Sequence, residues 1–244
     1  MKRYFDVCVS IVGILAAAPF LLIFMYLVYK QDKNSPFYIA PRVGKGGELF
    51  RMVKLRSMSI NADRSGVDST SLDDARITPV GKMIRKYKLD EVTQLFNVLI
   101  GDMSLVGPRP NVKKGGTDLY TDVEKRILSV KPGITDFSSI IFSDEGEILL
   151  GKEDPDLSYN QLIRPWKSRL ALVYIDHQSI ALDLKIILFT VIAIFDKNRS
   201  IRWVHGKLKQ LNVDEKMIEI AKRDADLKPF PPPGGNEVIV SLEV

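Results

Sequence analysis

This sequence has few of the residues from which metal and redox centres are usually built. Cys8 is its only cysteine in 244 residues, which excludes an intrachain disulfide and a metal–thiolate site. A lone thiol fits a reducing compartment. The two histidines, His177 and His205, stand too far apart for a zinc-ligand spacing. A Walker loop and a G-x-G-x-x-G element are both missing. The basic residues come without an aromatic stacking series, a recognition-helix motif or an RNA-binding signature, so nucleic acid is not an expected partner. No repeat recurs along the chain.

What is present is a globular composition, 45% hydrophobic and 27% charged, with a net charge of +5. That length allows one substantial domain with appendages. The basic balance points to anionic partners such as phosphates or acidic lipids.

Phe5 to Tyr29 is apolar except for Asp6 and Ser10. As a straight helix it would reach about 36 Å, enough to cross a hydrocarbon core of ~30 Å. A cleaved signal peptide is disfavoured, because Pro19 follows the small run Ala16–Ala18 and the apolar stretch continues beyond it. Two readings remain open on the residues alone. A spanning helix satisfies the length. A re-entrant helix suits the cationic flanks, Lys2 and Arg3 before and Lys30 and Lys33 after, with Pro19 as a break between two halves.

Beyond the polar exit at 31–35, Phe37–Ile39 and Glu48–Met58 read as strands, the second carrying Lys54 and Arg56 on one face. Residues 59–75, polar and rich in Ser and Asp, read as a mobile loop. Helices are expected at Val80–Tyr87, Leu89–Ile100, Glu124–Val130, Leu157–Asp176 with a kink near Pro165, and Asp214–Arg223. Ile180–Phe195 is apolar but carries Asp183 and Lys185; it is too short to span and reads as an interfacial or a core helix. Pro229–Gly235 has the composition of a linker, and Glu237–Val244 alternates like a strand. The elements amount to an α/β fold, mostly α with a small sheet. The expected organisation is a membrane helix at 1–30, a catalytic domain at 31–205, and an appended helix, linker and strand at 206–244.

One stretch stands out chemically. On a helix at 89–100, Val92, Leu95, Phe96 and Leu99 share one face, while Asp90, Gln94 and Asn97 share the other and Glu91 lies to the side. A solvated polar face and a dipole-compensating first turn would both look the same. The cations argue for more. Arg85 lies shortly before the carboxylates, Arg109 sits in the stiff turn Gly107-Pro108-Arg109-Pro110, and Arg42, Lys54 and Arg56 come from the strands and their turn. Together they can hold a diphosphate. Asp90 suits Mg²⁺, which takes one or two carboxylates along with substrate phosphates, and an Asp carboxylate can itself attack phosphorus. The competing class is a membrane-anchored adaptor that binds acidic lipid through a basic face.

At these residues the chain resembles the bacterial sugar transferases, the monotopic polyprenyl-phosphate phosphoglycosyl transferases. The matching string is Leu89-Asp90-Glu91, Gln94-Leu95-Phe96-Asn97-Val98, Gly101-Asp102-Met103-Ser104 and Val106-Gly107-Pro108-Arg109-Pro110. Further matches are Arg42-Val43-Gly44, Lys54-Leu55-Arg56-Ser57-Met58, Lys131-Pro132-Gly133-Ile134-Thr135 and Leu182-Asp183-Leu184-Lys185. The resemblance covers about residues 1–200 and implies a monotopic protein with an N-terminal re-entrant helix broken at Pro19 and interfacial helices on a cytoplasmic domain. It implies transfer of a sugar 1-phosphate from a UDP-sugar to a polyprenyl phosphate at the cytoplasmic face of the bacterial inner membrane, with UMP leaving. In that family the Asp of the dyad is nucleophile and Mg²⁺ ligand, which implies those roles for Asp90, with Glu91 completing the dyad. Arg42, Lys54, Arg85, Arg109 and Lys131 then become the expected phosphate and substrate contacts. The implied partners are the UDP-sugar, polyprenyl phosphate and membrane lipid, and a homodimer is compatible with this reading. The chain departs from the family where Ala18 replaces a serine before the proline, where Ala40 replaces a glutamine, and at Asp136–Phe142, which replaces a Gly-Trp-Ala-Gln-Val-Asn-Gly run. No multi-helix N-terminal module is seen, so the small form of the family is expected.

Overall fold

The apolar run near the start of the chain folds as a single helix, α1 (Lys2–Asp32), about 46 Å long at the usual rise. This computed structural model describes residues 1–242, the side chains of residues 64 and 65 excepted. The two half-helices expected on either side of Pro19 are not seen; Pro19 lies inside α1. A proline deletes one helical hydrogen bond and does not by itself end a long apolar helix. The segment's few polar residues explain how the helix sits. Asp6, Ser10, Leu21 and Val28 are buried, and with Gly13 and Ala17, which pack against the body, they form one stripe at helical spacing. Asp6 accepts from the Ser104 hydroxyl at 2.8 Å. Lys2 pairs with the buried Asp183, and Arg3 donates to the carbonyls of Val98 and Leu99. At the far end Asp32 takes a two-pronged pair from Arg56, at 2.6 and 2.8 Å. Both ends of α1 are therefore fastened to the same body, while Ile11, Val12, Leu15, Phe20, Leu22 and Ile23 face outward.

Next come β1 (Phe37–Val43) and β2 (Leu49–Leu55), an antiparallel pair. Helix α2 (Pro79–Lys86) starts at a Thr78 cap, with Gly81 N–H donating to the Thr78 hydroxyl at 2.9 Å. The stretch expected as one helix at 89–100 is two short ones, α3 (Leu89–Val92) and α4 (Leu95–Ile100). Their polar face points inward. Asn97 is fully buried. Its amide accepts from Val53 N–H at 2.9 Å and donates to Arg51 O at 2.7 Å, and the Thr93 hydroxyl donates to Val53 O at 3.1 Å. These side chains take the backbone groups on the edge of β2 that β1 leaves free, so they do the work of a third strand. On the apolar side, Val92 and Leu95 pack against the core clusters, while Phe96 and the terminal Ile100 are exposed.

Strands β3 (Ser104–Val106) and β4 (Gly133–Thr135) pair in parallel. Between them lies α5 (Asp122–Lys125), opened by a Thr121–Glu124 capping box. Then come α6 (Phe137–Ile141), α7 (Glu145–Ile148) and α8 (Pro155–Ser158). A π-helical turn, Tyr159–Ile163, leads into α9 (Arg164–His177), and this is the irregularity expected near Pro165. The core lies among α6, α9, α10 (Ile180–Phe195) and α11 (Lys197–Gln210), with Phe137, Ile140, Ile163, Ile186 and Leu208 at 0% exposure. Helix α10 buries Leu182, Asp183 and Ile186 in the core, while Leu184, Leu188, Val191 and Phe195 face outward.

The remainder differs from the sequence reading. The boundary drawn at residue 205 falls inside α11. Helix α12 (Glu215–Ile220) is shorter than expected. No strand forms at 237–242, and residues 243–244 lie outside the described residues. The expected mobile loop is tied down, with Leu72 N–H donating to Gly146 O at 2.9 Å and the N–H groups of Asp68 and Ser69 donating to the Asp156 carboxylate.

Asn97→Ala leaves buried groups of β2 unpartnered and costs ~3 kcal/mol, whereas Phe96→Ser changes stability by less than about 0.5 kcal/mol. Unfolding in detergent micelles checks both, and equal effects would overturn the clamping of this helix pair on β2 by its polar side.

Candidate active site

The dyad begins at Lys88, whose left-handed backbone (φ 53°) turns the chain abruptly into α3. Asp90 and Glu91 therefore project from a first turn whose position is set by the Thr93 and Asn97 clamps on β2. Lys54, near the end of that strand, lies on the same cavity wall. Arg109 arrives by a different route. Gly107 and Gly133 lie back to back, so close that a Cβ on Gly133 would stand 2.1 Å from the Gly107 nitrogen. That approach lets Gly107 N–H donate to Thr135 O at 3.0 Å and Gly133 N–H donate to Pro108 O at 2.9 Å, which lays the Gly-Pro-Arg-Pro turn along β4.

The result is a cavity of about 1170 Å³ that brings together Arg42, Lys54, Arg85, Asp90, Glu91 and Arg109. Two expected cations are not among them. Lys131, two residues before β4, is exposed and points away from the cavity, with its ammonium beside Gly101 and Arg3. Arg56 is committed to Asp32, since β2 has already ended at Leu55.

The two carboxylates are not equivalent. Glu91 Oε1 stands 2.5 Å from Arg109 Nη2. Burial raises the Glu91 pKa, but Arg109, then Lys88 and Lys54, outweigh it and hold the group down at about 2. Arg109 is raised in turn, chiefly by Glu91. No hydrogen bond or ion pair within bonding distance occupies the Asp90 carboxylate among the described residues. Burial raises its pKa above the ordinary 3.8; Lys54, Arg85 and Arg109 pull the other way and Glu91 adds to the rise. Lys54 is lowered by burial and then by Arg109. Arg85 is steered by its Nε donating to the Ser57 hydroxyl at 2.9 Å. The arrangement is an unengaged carboxyl group among cations, one of which is already paired with Glu91. It can attack an electron-poor phosphorus while the neighbouring cations take up phosphate charge.

Among the described residues no cluster of three His, Cys, Asp or Glu side chains could hold a metal. A site made of Asp90 and substrate phosphates still fits Mg²⁺, which commonly binds through one or two carboxylates.

Several cavity residues escaped the sequence reading. Lys88, which had a visible clue in its place beside the dyad, bears on Glu91. Lys167 pairs with Glu145 on the cavity wall, and Tyr159 neighbours both; a π-helical turn brings them there and leaves no sequence signal. The divergent 136–142 stretch supplies Asp136, whose carboxylate caps α6 by accepting from Ser139 N–H at 2.7 Å, and Ser138 and Ser139 beside it.

The pH dependence follows from these shifts. Glu91 ionises near 2 when folded and near 4.5 when unfolded, so the stability it contributes is present above pH 4.5 and disappears as the pH falls toward 2. Glu91→Gln should flatten that part of the acid-unfolding curve, and an unchanged curve would show that the pair contributes nothing. Any rate requiring ionised Asp90 should show an acid limb in kcat/KM centred above pH 3.8.

Comparison with known proteins identifies the family. A family model described as bacterial sugar transferase matches residues 1–197. A putative undecaprenyl-phosphate N-acetylgalactosaminyl 1-phosphate transferase of Bacillus subtilis is 43% identical over 110 residues, 45% of this chain and 62% of that protein. Undecaprenyl-phosphate glucose phosphotransferase of Komagataeibacter xylinus is 39% identical over 197 residues, 78% of this chain and 35% of that protein. A UDP-glucose:undecaprenyl-phosphate glucose-1-phosphate transferase of Klebsiella pneumoniae is 34% identical over 192 residues, 78% of this chain and 39% of that protein. The chain thus spans less than two thirds of the length of each. With the dyad, the Gly-Pro-Arg-Pro turn and the matched span taken together, this chain belongs to the bacterial sugar transferase family.

Proposed function

We propose that the chain transfers a sugar 1-phosphate from a UDP-sugar to a polyprenyl phosphate, with Asp90 as the nucleophile. The observation that carries this reading is the difference within the dyad: Glu91 is spent on Arg109, and Asp90 is left unengaged beside Lys54 and Arg85. The names of relatives that act on undecaprenyl phosphate support the acceptor class, and the name of one that uses UDP-glucose supports the donor class.

In the first step a carboxylate oxygen of Asp90 attacks the β-phosphorus. The bond from that phosphorus to the bridging oxygen breaks, and its electron pair leaves on UMP. In the second step an oxygen of the polyprenyl phosphate attacks the same phosphorus and expels the Asp90 carboxylate. Lys54, Arg85 and Arg109 balance the phosphate charge throughout. A Mg²⁺ held by Asp90 and the diphosphate would supply further charge neutralisation. Glu91 keeps the Arg109 guanidinium aimed.

The lipid acceptor requires a membrane within reach of the cavity. Outward-facing apolar residues of α1, α4 and α10 supply that face. Since both ends of α1 are held by one body, the helix enters the lipid without carrying the chain across, with the body on the cytoplasmic side of a bacterial inner membrane. Arg42, Lys54, Arg85 and Arg109 line a cavity together with two carboxylates, which favours a substrate site over an adaptor's lipid-binding basic face.

Asp90→Asn should lower Mg²⁺-dependent UMP release at least ~10³-fold. Wild-type protein given radiolabelled donor and no acceptor should retain a labelled phosphosugar, and Asp90→Asn should not. Comparable turnover by the variant, or label retained without Asp90, would overturn the nucleophile assignment.

A further inference from the structure

The segment after α12 looked like a linker, yet it is one of the better-fastened parts of the surface. Residues 229–233 are restricted by four prolines, so fixing them costs little backbone entropy. Phe230 stacks on Trp166 at 4.5 Å between ring centroids, with the Arg169 guanidinium 4.8 Å above the Phe230 ring. Phe230 N–H donates to Gln161 O at 3.0 Å. The carbonyls of the segment are taken up by side chains of the body: Arg169 donates to Pro231 O at 2.9 Å, the Thr121 hydroxyl to Pro233 O at 2.5 Å and the Gln161 amide to Ile239 O at 2.7 Å. Gly234 turns the chain at φ +80° where a Cβ would meet Val123 at 2.6 Å.

Each anchor lies next to a cavity residue in the chain. Thr121 follows Tyr120, Gln161 follows Asn160, and Arg169 follows Ser168; Tyr120, Asn160 and Ser168 all line the cavity. The segment then reaches the cavity itself, where Leu242 is a lining residue. These docking partners sit on α5, the π-helical turn and α9. None is on α1, α4 or α10, the elements with the outward apolar face. The family match ends at residue 197, and this wall lies beyond it.

We propose that residues 229–242 form a strap that completes the wall of the cavity on the side of the soluble donor, with Leu242 as a donor-selecting contact. Phe230 and Gln161 are positioning residues that hold the strap in place. The inference rests on the transfer reaction proposed above. The apolar side chain of Leu242 favours donors with a methyl-bearing or deoxy substituent at that point over those presenting only hydroxyls, because an unpaired hydroxyl facing Leu242 loses its water without a replacement.

The test uses the full chain with Phe230→Ala, Gln161→Ala and Leu242→Trp, each assayed for UMP release across a panel of UDP-sugars at saturating polyprenyl phosphate. UDP affinity is measured in parallel by calorimetry. Loosening the strap should raise donor KM by about fivefold or more while kcat changes less than about twofold. Leu242→Trp, which leaves every docking contact in place, should reorder the preference among donors. Unchanged KM, UDP affinity and donor order in all three variants would overturn the strap. A wild-type protein that releases no UMP from any donor would instead sink the transfer reading, and UDP affinity in the variants would still decide whether the strap borders a nucleotide site. Loss of kcat with donor KM and donor order unchanged would mean a purely structural role and would also overturn it.

Discussion

The backbone edge of β2 that has no strand beside it is the constraint from which the site follows. Its free groups at Arg51 and Val53 must be satisfied once they are buried, and Asn97 and Thr93 do this with side-chain amide and hydroxyl. One consequence is that α3 and α4 cannot shift along β2 without stripping several hydrogen bonds at once. Asp90 and Glu91 at the start of α3 are thereby held opposite Lys54 on the strand. The other consequence is that the polar face of the pair is used up inside, so Phe96 and Ile100 must face out. The same bonds that hold Asp90 in the cavity also put apolar groups on the surface.

Charge is handled in two ways inside the body. Arg164 and Glu124 form a closed unit that is almost completely buried: both carboxylate oxygens are engaged, and the guanidinium also reaches Asn160 and Leu119. Such a pair staples α5 to α9 and has no capacity left for a ligand. The dyad is the opposite case. Glu91 and Arg109 satisfy each other, but Asp90, Lys54 and Arg85 are grouped without a full match. Surplus charge that fold stability does not require is what a substrate diphosphate would complete.

The polar residues inside the apolar α1 also have a structural purpose. Lys2, Arg3 and Asp6 would be costly in lipid, and each is instead bound to α10, α4 or β3. Asp183, an oddity within an apolar helix, is the partner of Lys2. Anchoring at Asp32 closes the other end. The apolar helix is therefore a component of the domain's surface, packed along one stripe and bare along the other.

How much of this was legible depends on the range of the interaction. The dyad, the Gly-Pro-Arg-Pro turn, β1, β2, α2, α10 and the grouping of Arg42, Lys54, Arg85 and Arg109 are encoded in short runs whose local chemistry is visible residue by residue. The amphipathic pattern at 89–100 announced two faces, but not that the polar one is buried as well, because that depends on a strand edge more than thirty residues away in the chain. Lys131 and Arg56 had the right chemistry and the wrong direction, which only the ends of β4 and β2 could set. The segment at 229–242 has a linker's composition and becomes a wall only because Trp166, Arg169 and Gln161 stand where it passes. By itself the sequence determined the kind of chemistry and the apolar helix, since both are written in neighbouring residues. Tertiary structure decided which carboxylate stays free, since that depends on where the Arg109 guanidinium comes to rest.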